Sequence, residues 1–291
     1  MMRKKNILIT GGAGFVGSHL CKRLVNDNNV YVLDNYFTGS KENHHKKVKY
    51  IKSENKNIYK LFNKKQLDYI FHLGEYSRVE QSFEDIDIVM EYNISSIYEV
   101  IKLAYHSKAK LIYSGSSTKF ARNTPNYLLS PYAWTKLTNV SLINSFSKWK
   151  GLNYAITYFY NVYGNNEISK GKYATVIGKF LQMVKEGDQY LPVSKPGYQK
   201  RNFTHVDDIV DGLILVAKKG QGDGYGIGSP KAYSINQIVR FLNKKPKYYT
   251  SPKGNRMSAS VRTDKIRKLG WVAKKNLKEY IKSNLKKQSN D

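Results

Sequence analysis

A glycine cluster near the start of the chain constrains the fold more than any other feature. It directly follows an apolar run, opens a segment with helical periodicity and consists of Thr10-Gly11-Gly12-Ala13-Gly14-Phe15-Val16-Gly17. In this context one glycine permits a tight turn, another lets backbone amides approach a pyrophosphate, and the last allows close packing of helix against strand. The positive end of the helix then faces the phosphates. The sequence therefore predicts a dinucleotide site with contacts from Gly11, Gly14, Phe15, Val16 and Gly17.

The end of the second predicted strand indicates which dinucleotide is bound. Asp34 lies there, seventeen positions after Gly17. A carboxylate at this point accepts hydrogen bonds from the adenosine ribose hydroxyls and repels a 2′-phosphate. No arginine follows Asp34 closely in the sequence. NAD is therefore favoured over NADP.

Apolar β-type runs alternate with helical patterns over the first two-thirds of the chain, as in a parallel sheet covered on both faces. The predicted strands are 7–10, 30–33, 48–51, 69–73, 111–114 and 154–159, and the helices are 14–26, 86–106 and 131–149. This pattern predicts an α/β fold: a Rossmann-type doubly wound parallel sheet with a smaller C-terminal substrate-binding lobe. We expect the NAD-binding domain at 1–163 and the lobe at 164–291, with a helix at 174–186 and a segment at 203–217 returning to the sheet.

Charge and cysteine content limit the classes of function. The formal net charge is +27, but the lysines are spread over nearly every predicted helix and loop. That distribution indicates a bias of the whole chain rather than a nucleic-acid surface, although a positive field still attracts anionic substrates. The single cysteine, Cys21, cannot form an internal disulfide, and no zinc-type Cys/His spacing surrounds it. We expect no metal site and a packed Cys21.

Membrane insertion is not predicted. The first apolar run is short and ends in the glycine cluster, so it is typical of a first strand rather than a signal peptide. No stretch approaches the roughly 18 apolar residues that a membrane helix needs. The sequence predicts a cytoplasmic protein.

A second motif carries the candidate chemistry. It consists of Ser130-Pro131-Tyr132-Ala133-Trp134-Thr135-Lys136, in which Tyr132 and Lys136 are four apart and share a helix face. A phenol ordinarily titrates near pH 10, and a nearby ammonium favours its phenolate form. Tyr132 could then take a proton from a substrate hydroxyl while hydride leaves the same carbon. Upstream, a strand ends near Ser116, whose hydroxyl could polarise the reacting oxygen.

These elements in this order resemble the extended short-chain dehydrogenase/reductase family, specifically its NAD-dependent nucleotide-sugar epimerase and dehydratase branch of the UDP-glucose 4-epimerase type. The resemblance runs from about 6 to 271. The other motifs that carry it are Val32-Leu33-Asp34-Asn35, Ile70-Phe71-His72-Leu73, Tyr92-Asn93-Ile94-Ser95, Asn161-Val162-Tyr163-Gly164, Arg201-Asn202-Phe203-Thr204-His205-Val206-Asp207-Asp208 and Leu269-Gly270-Trp271.

The resemblance implies a role for each matching position. Tyr132 is the expected catalytic base, Lys136 its partner that also holds the nicotinamide ribose, and Ser116 the hydroxyl that orients the sugar oxygen. Further cofactor contacts are expected from Asn35, Leu73, Gly74 and Asn93. The expected substrate contacts are Glu75, Arg78, Ser116, Ser117, Tyr132, Asn161 and Arg201, the last on the diphosphate. The resemblance also implies a nucleoside diphosphate sugar as substrate, and His72 and His205 are expected to be structural.

Residues beside Ser116 discriminate among the reactions of this branch. Its 4,6-dehydratases carry an Asp-Glu pair where Ser117 and Thr118 stand, and its decarboxylases carry a glutamate in place of Thr118. Its 3,5-epimerising reductases need a Cys/His pair near the sugar, which Cys21 cannot supply from the first helix. The resemblance therefore implies a 4-epimerase acting through a 4-keto sugar. The alternatives are a C4 dehydrogenase or ketoreductase and, less favoured, a dinucleotide sensor without catalysis.

Several positions depart from the family pattern. Gly74-Glu75-Tyr76-Ser77-Arg78 replaces the usual small residues, so this loop either restricts turning of the keto sugar, which favours a dehydrogenase, or selects another sugar or nucleotide. Tyr158 replaces a usual arginine, and the arginine-bearing loop near the end appears only as Ser251-Pro252-Lys253-Gly254-Asn255-Arg256. We expect Glu75 and Arg78 to set substrate specificity.

The resemblance also implies a homodimer formed through the predicted helices 86–106 and 131–149. Apolar residues recur on them at helical spacing, which fits either a dimer interface or packing on the sheet. These residues are Ile94, Ile97, Val100, Ile101, Leu137, Val140 and Ile143.

Overall fold

The structure is a computed structural model that describes residues 2–120, 130–250 and 261–288. Its strands are β1 (Asn6–Thr10), β2 (Asn29–Asp34), β3 (Lys49–Lys52), β4 (Tyr69–His72), β5 (Lys110–Ser116), β6 (Tyr154–Phe159), β7 (Val162–Tyr163), β8 (Tyr190–Ser194), β9 (Lys200–Asn202), β10 (Thr204–His205), β11 (Gly222–Ile227), β12 (Ala232–Ser234) and β13 (Lys245–Tyr249). Its helices are α1 (Phe15–Leu24), α2 (Ile58–Phe62), α3 (Ile86–Asn93), α4 (Ile97–Ser107), α5 (Pro131–Lys150), α6 (Val176–Lys185), α7 (Val206–Lys219), α8 (Ile235–Phe241), α9 (Asp264–Arg267) and α10 (Leu277–Gln288).

A seven-stranded parallel sheet forms the centre of the molecule, in the order β11-β6-β5-β4-β1-β2-β3. Successive residues of a strand point to opposite faces, so the apolar strands supply two cores. Ile7 and Ile9 of β1 pack into one core with residues of α1 and α7. Leu8 packs into the other with residues of α4 and α5. The predicted doubly wound α/β fold is confirmed, and Cys21 is a fully buried member of the first core.

The C-terminal part contributes both to this sheet and to a third core. Helix α7 packs against α1 and the sheet, and β11 adds to the sheet beside β6. The strand within 203–217, β10, pairs with β7 instead of joining the main sheet. Helices α6, α8 and α10 surround the separate third core. The domain boundary at 163/164 therefore stays a prediction.

The predicted helix 86–106 is two helices. Asn93 ends α3, and α4 begins at Ile97. In a continuous helix the Asn93 carbonyl oxygen would accept the amide of Ile97. It accepts instead from the side-chain amide of Asn139 on α5, at 2.7 Å. A distant residue thus bonds to the carbonyl at the point where the helix is interrupted.

Most of the apolar positions singled out for a dimer interface lie in the core between α4, α5 and the sheet. Buried there are Ile97, Val100, Ile101, Val140 and Ile143, whereas Ile94 and Leu137 are half-buried. Packing on the sheet therefore explains five of the seven, and the homodimer stays a prediction. Within the described ranges, the structure has no helix that combines the length and apolar character needed to span a membrane.

Candidate active site

The carboxyl ends of the parallel strands open into one cleft of about 640 Å³. Its walls include the glycine cluster, Asp34 at the end of β2, Ser116 at the end of β5, and Tyr132 with Lys136 on α5. Ligands of open α/β sheets bind in such a crevice. The predicted cofactor site and the predicted catalytic residues therefore share one continuous pocket.

The glycine cluster forms a close crossing that no larger residue would allow. Gly11 has a φ of +69°, and a Cβ atom on Gly17 would lie 2.1 Å from the Gly11 carbonyl oxygen. Helix α1 begins at Phe15 after Gly14, with no side-chain cap and no acidic residue in its first turn. Its first amide groups are thus open toward the cleft. These features fit the pyrophosphate of a dinucleotide.

Asp34 is built to hold a ribose at the same end of the cleft. Its Oδ1 accepts from the Tyr36 amide at 2.8 Å and its Oδ2 from the Ala13 amide at 2.9 Å. Each oxygen keeps a lone pair for a hydroxyl group. Burial raises the pKa of Asp34, and the two amide hydrogen bonds oppose that rise. The carboxylate fits the 2′- and 3′-hydroxyls of NAD and would repel a 2′-phosphate.

We expect Asp34→Ala to lower NAD affinity by roughly 100-fold, because about two hydrogen bonds to a charged acceptor are lost. The ratio of NAD affinity to NADP affinity should fall as well. Calorimetric titration of both dinucleotides measures this. The control is Asp188→Ala, which removes an exposed carboxylate from a turn after α6. Unchanged NAD affinity in Asp34→Ala would refute the assignment.

Sequence reasoning did not find Ser53 and Asn55, which line the same end of the cleft after β3. Asn55 also donates from its side-chain amide to the Gly74 carbonyl oxygen. The available signal was their position: polar residues directly after a parallel strand face the ligand crevice.

Tyr132 and Lys136 lie on the first turns of α5, as predicted from their spacing. The helix is fixed by Ser130, whose Oγ accepts from the Ala133 amide at 3.1 Å, and by Pro131 at its first position. The Lys136 Nζ lies 6.0 Å from the centroid of the Tyr132 ring. It donates to the Ser114 carbonyl oxygen at 2.7 Å. Both side chains are largely buried at the cleft wall.

The role expected for Glu75 requires a correction, because its carboxylate is occupied by groups of the protein. It is 1% exposed, and its Oε2 forms an ion pair with the Lys136 Nζ at 2.6 Å. The same oxygen accepts from the Tyr113 hydroxyl at 2.8 Å. Its Oε1 accepts from His72 at 3.1 Å and from the Asn139 amide at 3.0 Å. All four carboxylate lone pairs are occupied, so Glu75 positions Lys136 instead of recognising a sugar.

Hydrogen bonds around Thr10 determine the tautomer of His72. The Thr10 Oγ1 accepts from the amides of Leu73 and Gly74, at 3.1 and 3.0 Å. Its hydroxyl hydrogen is therefore donated to the His72 Nδ1, 2.8 Å away. The His72 Nε2 then carries the hydrogen and donates it to Glu75. His72 acts as a structural link between β1 and the buried carboxylate.

Ser116 is oriented by its neighbour Thr118. The Ser116 Oγ accepts from the Thr118 hydroxyl at 2.9 Å and from the Thr118 amide at 3.3 Å. These two bonds occupy both acceptor positions of the Ser116 hydroxyl, so its hydrogen remains to be donated into the cleft. A donor aimed at the reacting oxygen is what the predicted role requires.

We expect Thr118→Val to lower kcat by about 10-fold with little change in cofactor affinity, because the Ser116 hydroxyl loses one of the two bonds that orient it. Thr118→Ser restores the hydroxyl and serves as the matched control. Steady-state kinetics on the nucleotide sugar that the protein turns over measures the effect. Equal kcat in wild type and Thr118→Val would show that Thr118 does not orient Ser116.

Asn93 also differs from expectation. Its side chain is fully buried and does not line the cleft. Its Oδ1 accepts from the Tyr76 amide at 2.7 Å, and its Nδ2 donates to the Thr135 hydroxyl at 2.9 Å. Asn93 therefore fixes the loop after β4 to α5 and does not reach a cofactor directly.

The remaining predicted positions lie along the cleft. Those at its wall are Asn35, Leu73, Gly74, Arg78, Ser117, Asn161 and Arg201. Tyr158, where the family usually has arginine, is buried in the second core with its hydroxyl donating to Asp223. The loop 251–256, where the family usually carries an arginine, lies outside the described residues. Among the residues described, no cluster of three or more His, Cys, Asp or Glu side chains could hold a metal ion.

Known proteins are similar to this chain in sequence and fold. The model of the NAD dependent epimerase/dehydratase family matches residues 7–228. The UDP-glucose 4-epimerase of Thermotoga maritima, solved with UDP-glucose, superposes with a TM-score of 0.88 at 25% identity, over 98% of this chain and all of that one. A UDP-N-acetyl-alpha-D-glucosaminuronate decarboxylase of Bacillus cytotoxicus is 29% identical over 83% of this chain and 80% of its own length.

A dehydratase is similar as well. The human dTDP-D-glucose 4,6-dehydratase is 26% identical over 97% of this chain and 89% of its own length. The similar proteins thus include an epimerase, a dehydratase and a decarboxylase, all acting on nucleotide sugars. With the family model covering most of the chain and the cleft fitted to a dinucleotide, the chain belongs to the NAD-dependent epimerase/dehydratase family and uses NAD as its cofactor.

Proposed function

We propose that this chain is an NAD-dependent nucleotide-sugar 4-epimerase. The observation that carries the proposal is the convergence of Tyr132, Lys136 and Ser116 at the end of the cleft that adjoins the cofactor site. Bound NAD would supply the hydride acceptor for oxidation at C4 of the sugar and the hydride donor for its reduction. The chain's own residues move the proton and orient the reacting oxygen.

Tyr132 takes the proton of the C4 hydroxyl as the carbon is oxidised, and gives it back after the keto sugar has turned over. Ser116 donates a hydrogen bond to the same oxygen throughout, which stabilises the charge that develops there. Lys136, held by Glu75 and the Ser114 carbonyl, keeps one N–H for a ribose hydroxyl. These residues suffice for a reaction that begins and ends with an alcohol at C4.

The cleft offers little support for elimination of water. Its described carboxylates are those of Asp34, Glu75 and Glu80. Asp34 lies at the adenosine end, Glu75 is fully hydrogen-bonded, and Glu80 lies close to Arg201 and Lys179. Ser117 and Thr118 occupy the positions beside Ser116. Since elimination needs an acid and a base near the sugar, a dehydratase is disfavoured.

The second candidate is a C4 dehydrogenase or ketoreductase with net redox change. It is favoured by the loop after β4, whose bulky residues restrict the sugar end of the cleft. Arg78 in this loop donates to the Tyr173 carbonyl oxygen across the cleft, and the ring of Tyr76 packs 6.1 Å from that of Tyr173. A keto sugar held tightly there would not turn over. A dinucleotide sensor without catalysis is less favoured, because it would not need Tyr132, Lys136 or Ser116.

Incubation with a panel of UDP-, GDP-, CDP- and dTDP-sugars separates these candidates. Products are identified by NMR, and reduced cofactor is followed by absorbance near 340 nm. We expect a C4 epimer with no net change in NADH. Accumulation of NADH with a keto sugar, or turnover only with an added oxidant, would establish the dehydrogenase and reject the epimerase.

A further inference from the structure

The guanidinium of Arg78 is held in the cleft by neutral groups. Its Nε and Nη2 donate to the Tyr173 carbonyl oxygen, at 2.9 and 2.7 Å. Its Nη1 donates to the carbonyl and the hydroxyl of Ser77, both at 3.2 Å. None of these acceptors carries a negative charge. Over the described residues, Arg78 forms no ion pair within 4.0 Å, so its orientation is fixed while its charge is not neutralised.

Partial burial makes this charge less favourable without an anion. Desolvation lowers the pKa of Arg78, but a guanidinium stays protonated at neutral pH. Glu167 is a carboxyl group that acts on Arg78 electrostatically, and it accepts hydrogen bonds from the Thr175 hydroxyl and the Gly164 amide. Burial raises the pKa of Glu167 to about 7, so it is only partly ionised near neutrality. A half-buried cation that is held only by neutral acceptors is suited to binding an anion.

Arg78 lies at the sugar end of the cleft. It is bonded to the carbonyl of Tyr173, whose side chain packs against the cluster that contains Tyr132, and both Arg78 and Tyr132 line the cleft. Arg201, the cation expected on the diphosphate, acts together with Lys179 on Glu80, and all three line the cleft. The phosphates of a bound substrate therefore have their own cations. Arg78 is available to a second anionic group close to the atom on which Tyr132 acts.

We infer that the substrate's sugar is a hexuronic acid, whose carboxylate binds the Arg78 guanidinium. The inference rests on the proposed reaction at C4. In a hexuronic acid the carboxylate is carried by C5, the ring carbon next to C4, so a cation beside Tyr132 is placed to reach it. Of the five guanidinium N–H groups, these four contacts leave one on Nη2, which can donate to an oxygen of a carboxylate.

Equilibrium binding tests this without turnover. The NAD-loaded Tyr132→Phe protein is titrated with UDP-glucuronic acid and with UDP-glucose, which differ only at C6. Because truncating one partner of a buried charge pair is costly, we expect UDP-glucuronic acid to bind roughly 100-fold more tightly. Arg78→Gln in this background should reduce that ratio to about threefold or less, and Arg78→Lys should give an intermediate ratio.

Arg240→Gln is the matched control, since Arg240 is exposed on α8 and its loss should leave the ratio unchanged. The ratio is measured within each variant, so a general loss of affinity from a loosened Tyr173 contact does not imitate the expected result. A ratio near one in the parent, absent binding of UDP-glucuronic acid, or a ratio that persists in Arg78→Gln would overturn the inference.

Turnover distinguishes this inference from the proposed function. Wild-type epimerisation of UDP-glucose together with equal binding of both nucleotides would reject the uronic acid and leave the 4-epimerase in place. Arg78-dependent binding of UDP-glucuronic acid with no reaction at C4 would support the carboxylate site and reject the epimerase.

Discussion

Replacing Tyr132 with phenylalanine is expected to lower kcat by roughly 10³- to 10⁴-fold, the upper range for loss of a general acid–base group. The change removes only the hydroxyl group of Tyr132, and the remaining ring still fills the wall of the cleft. The protein should therefore stay folded and bind NAD with unchanged affinity. Activity is measured by NMR on the turned-over nucleotide sugar, and affinity by titration with NAD.

The matched control is Tyr190→Phe, which removes an exposed phenol from β8, far along the chain from the catalytic helix. It should leave kcat unchanged. If Tyr132→Phe retained more than about a tenth of wild-type kcat, the loss would be smaller than is typical for removal of a general base. Tyr132 would then not be the proton acceptor.

Glu75→Ala is expected to lower the free energy of unfolding by roughly 3–5 kcal/mol, because Lys136 would keep its buried charge without a counter-ion. At about 2 °C per kcal/mol for a chain of this size, the melting temperature should fall by roughly 6–10 °C. Calorimetry at neutral pH measures both. Glu99→Ala removes a carboxylate from a partly exposed pair with Lys102 and should cost roughly 1 kcal/mol or less.

A compensating variant tests whether the loss comes from the unpaired lysine. In Glu75→Leu combined with Lys136→Met, both charges are replaced by apolar side chains of similar volume. Most of the stability should return, because an apolar pair avoids the desolvation that an unpaired charge suffers. Catalysis should not return, since Lys136 is absent. A double variant as unstable as Glu75→Ala would show that the four hydrogen bonds of the carboxylate, rather than the ion pair, stabilise the site.

The same carboxylate makes stability depend on pH. Burial alone would raise the pKa of Glu75, but Lys136 and His72 outweigh it and lower the pKa to about 2. A carboxyl group whose pKa is lower in the folded state binds more protons when unfolded, so its contribution is complete above the ordinary value of about 4.5. We expect that contribution to be lost between about pH 4.5 and pH 2, and to be absent from Glu75→Ala over the same range.

Features that depend on local spacing could be predicted from the sequence. The glycine cluster after β1, Asp34 after β2 and the Tyr132/Lys136 pair each sit within one strand–turn–helix unit or one helix turn. Their relative positions follow from the geometry of that unit. The structure brings all of them to one cleft, where the predicted Ser116 joins them at the end of β5.

Features that depend on distant partners could not be predicted. Glu75 follows a strand in a polar loop, which is typical of an exposed residue. It is buried because α5 covers this loop with Lys136 and Asn139. The interruption between α3 and α4 has the same origin, since the Asn139 amide takes the Asn93 carbonyl 46 positions away. No local pattern in 86–106 indicates that bond.

Strand β11 was missed for a compositional reason. Its sequence contains three glycines in six residues, including Gly222 and Gly224 with positive φ, and glycine weakens the local strand signal. The strand forms because β6 provides an unpaired edge for it and Tyr225 and Ile227 enter the core. Tertiary pairing outweighs local preference here.

Reaction of a nucleotide sugar labelled with deuterium at C4 tests the proposed chemistry most directly. The substrate that the panel identifies is synthesised with the label and incubated with the NAD-loaded protein in ordinary water, and the product is analysed by NMR and mass spectrometry. We expect the C4 epimer with its deuterium retained at C4, because the hydride that leaves this carbon returns to it. An epimer without the label, or a keto sugar with deuterium transferred to the reduced cofactor, would contradict a 4-epimerase acting by hydride abstraction and return.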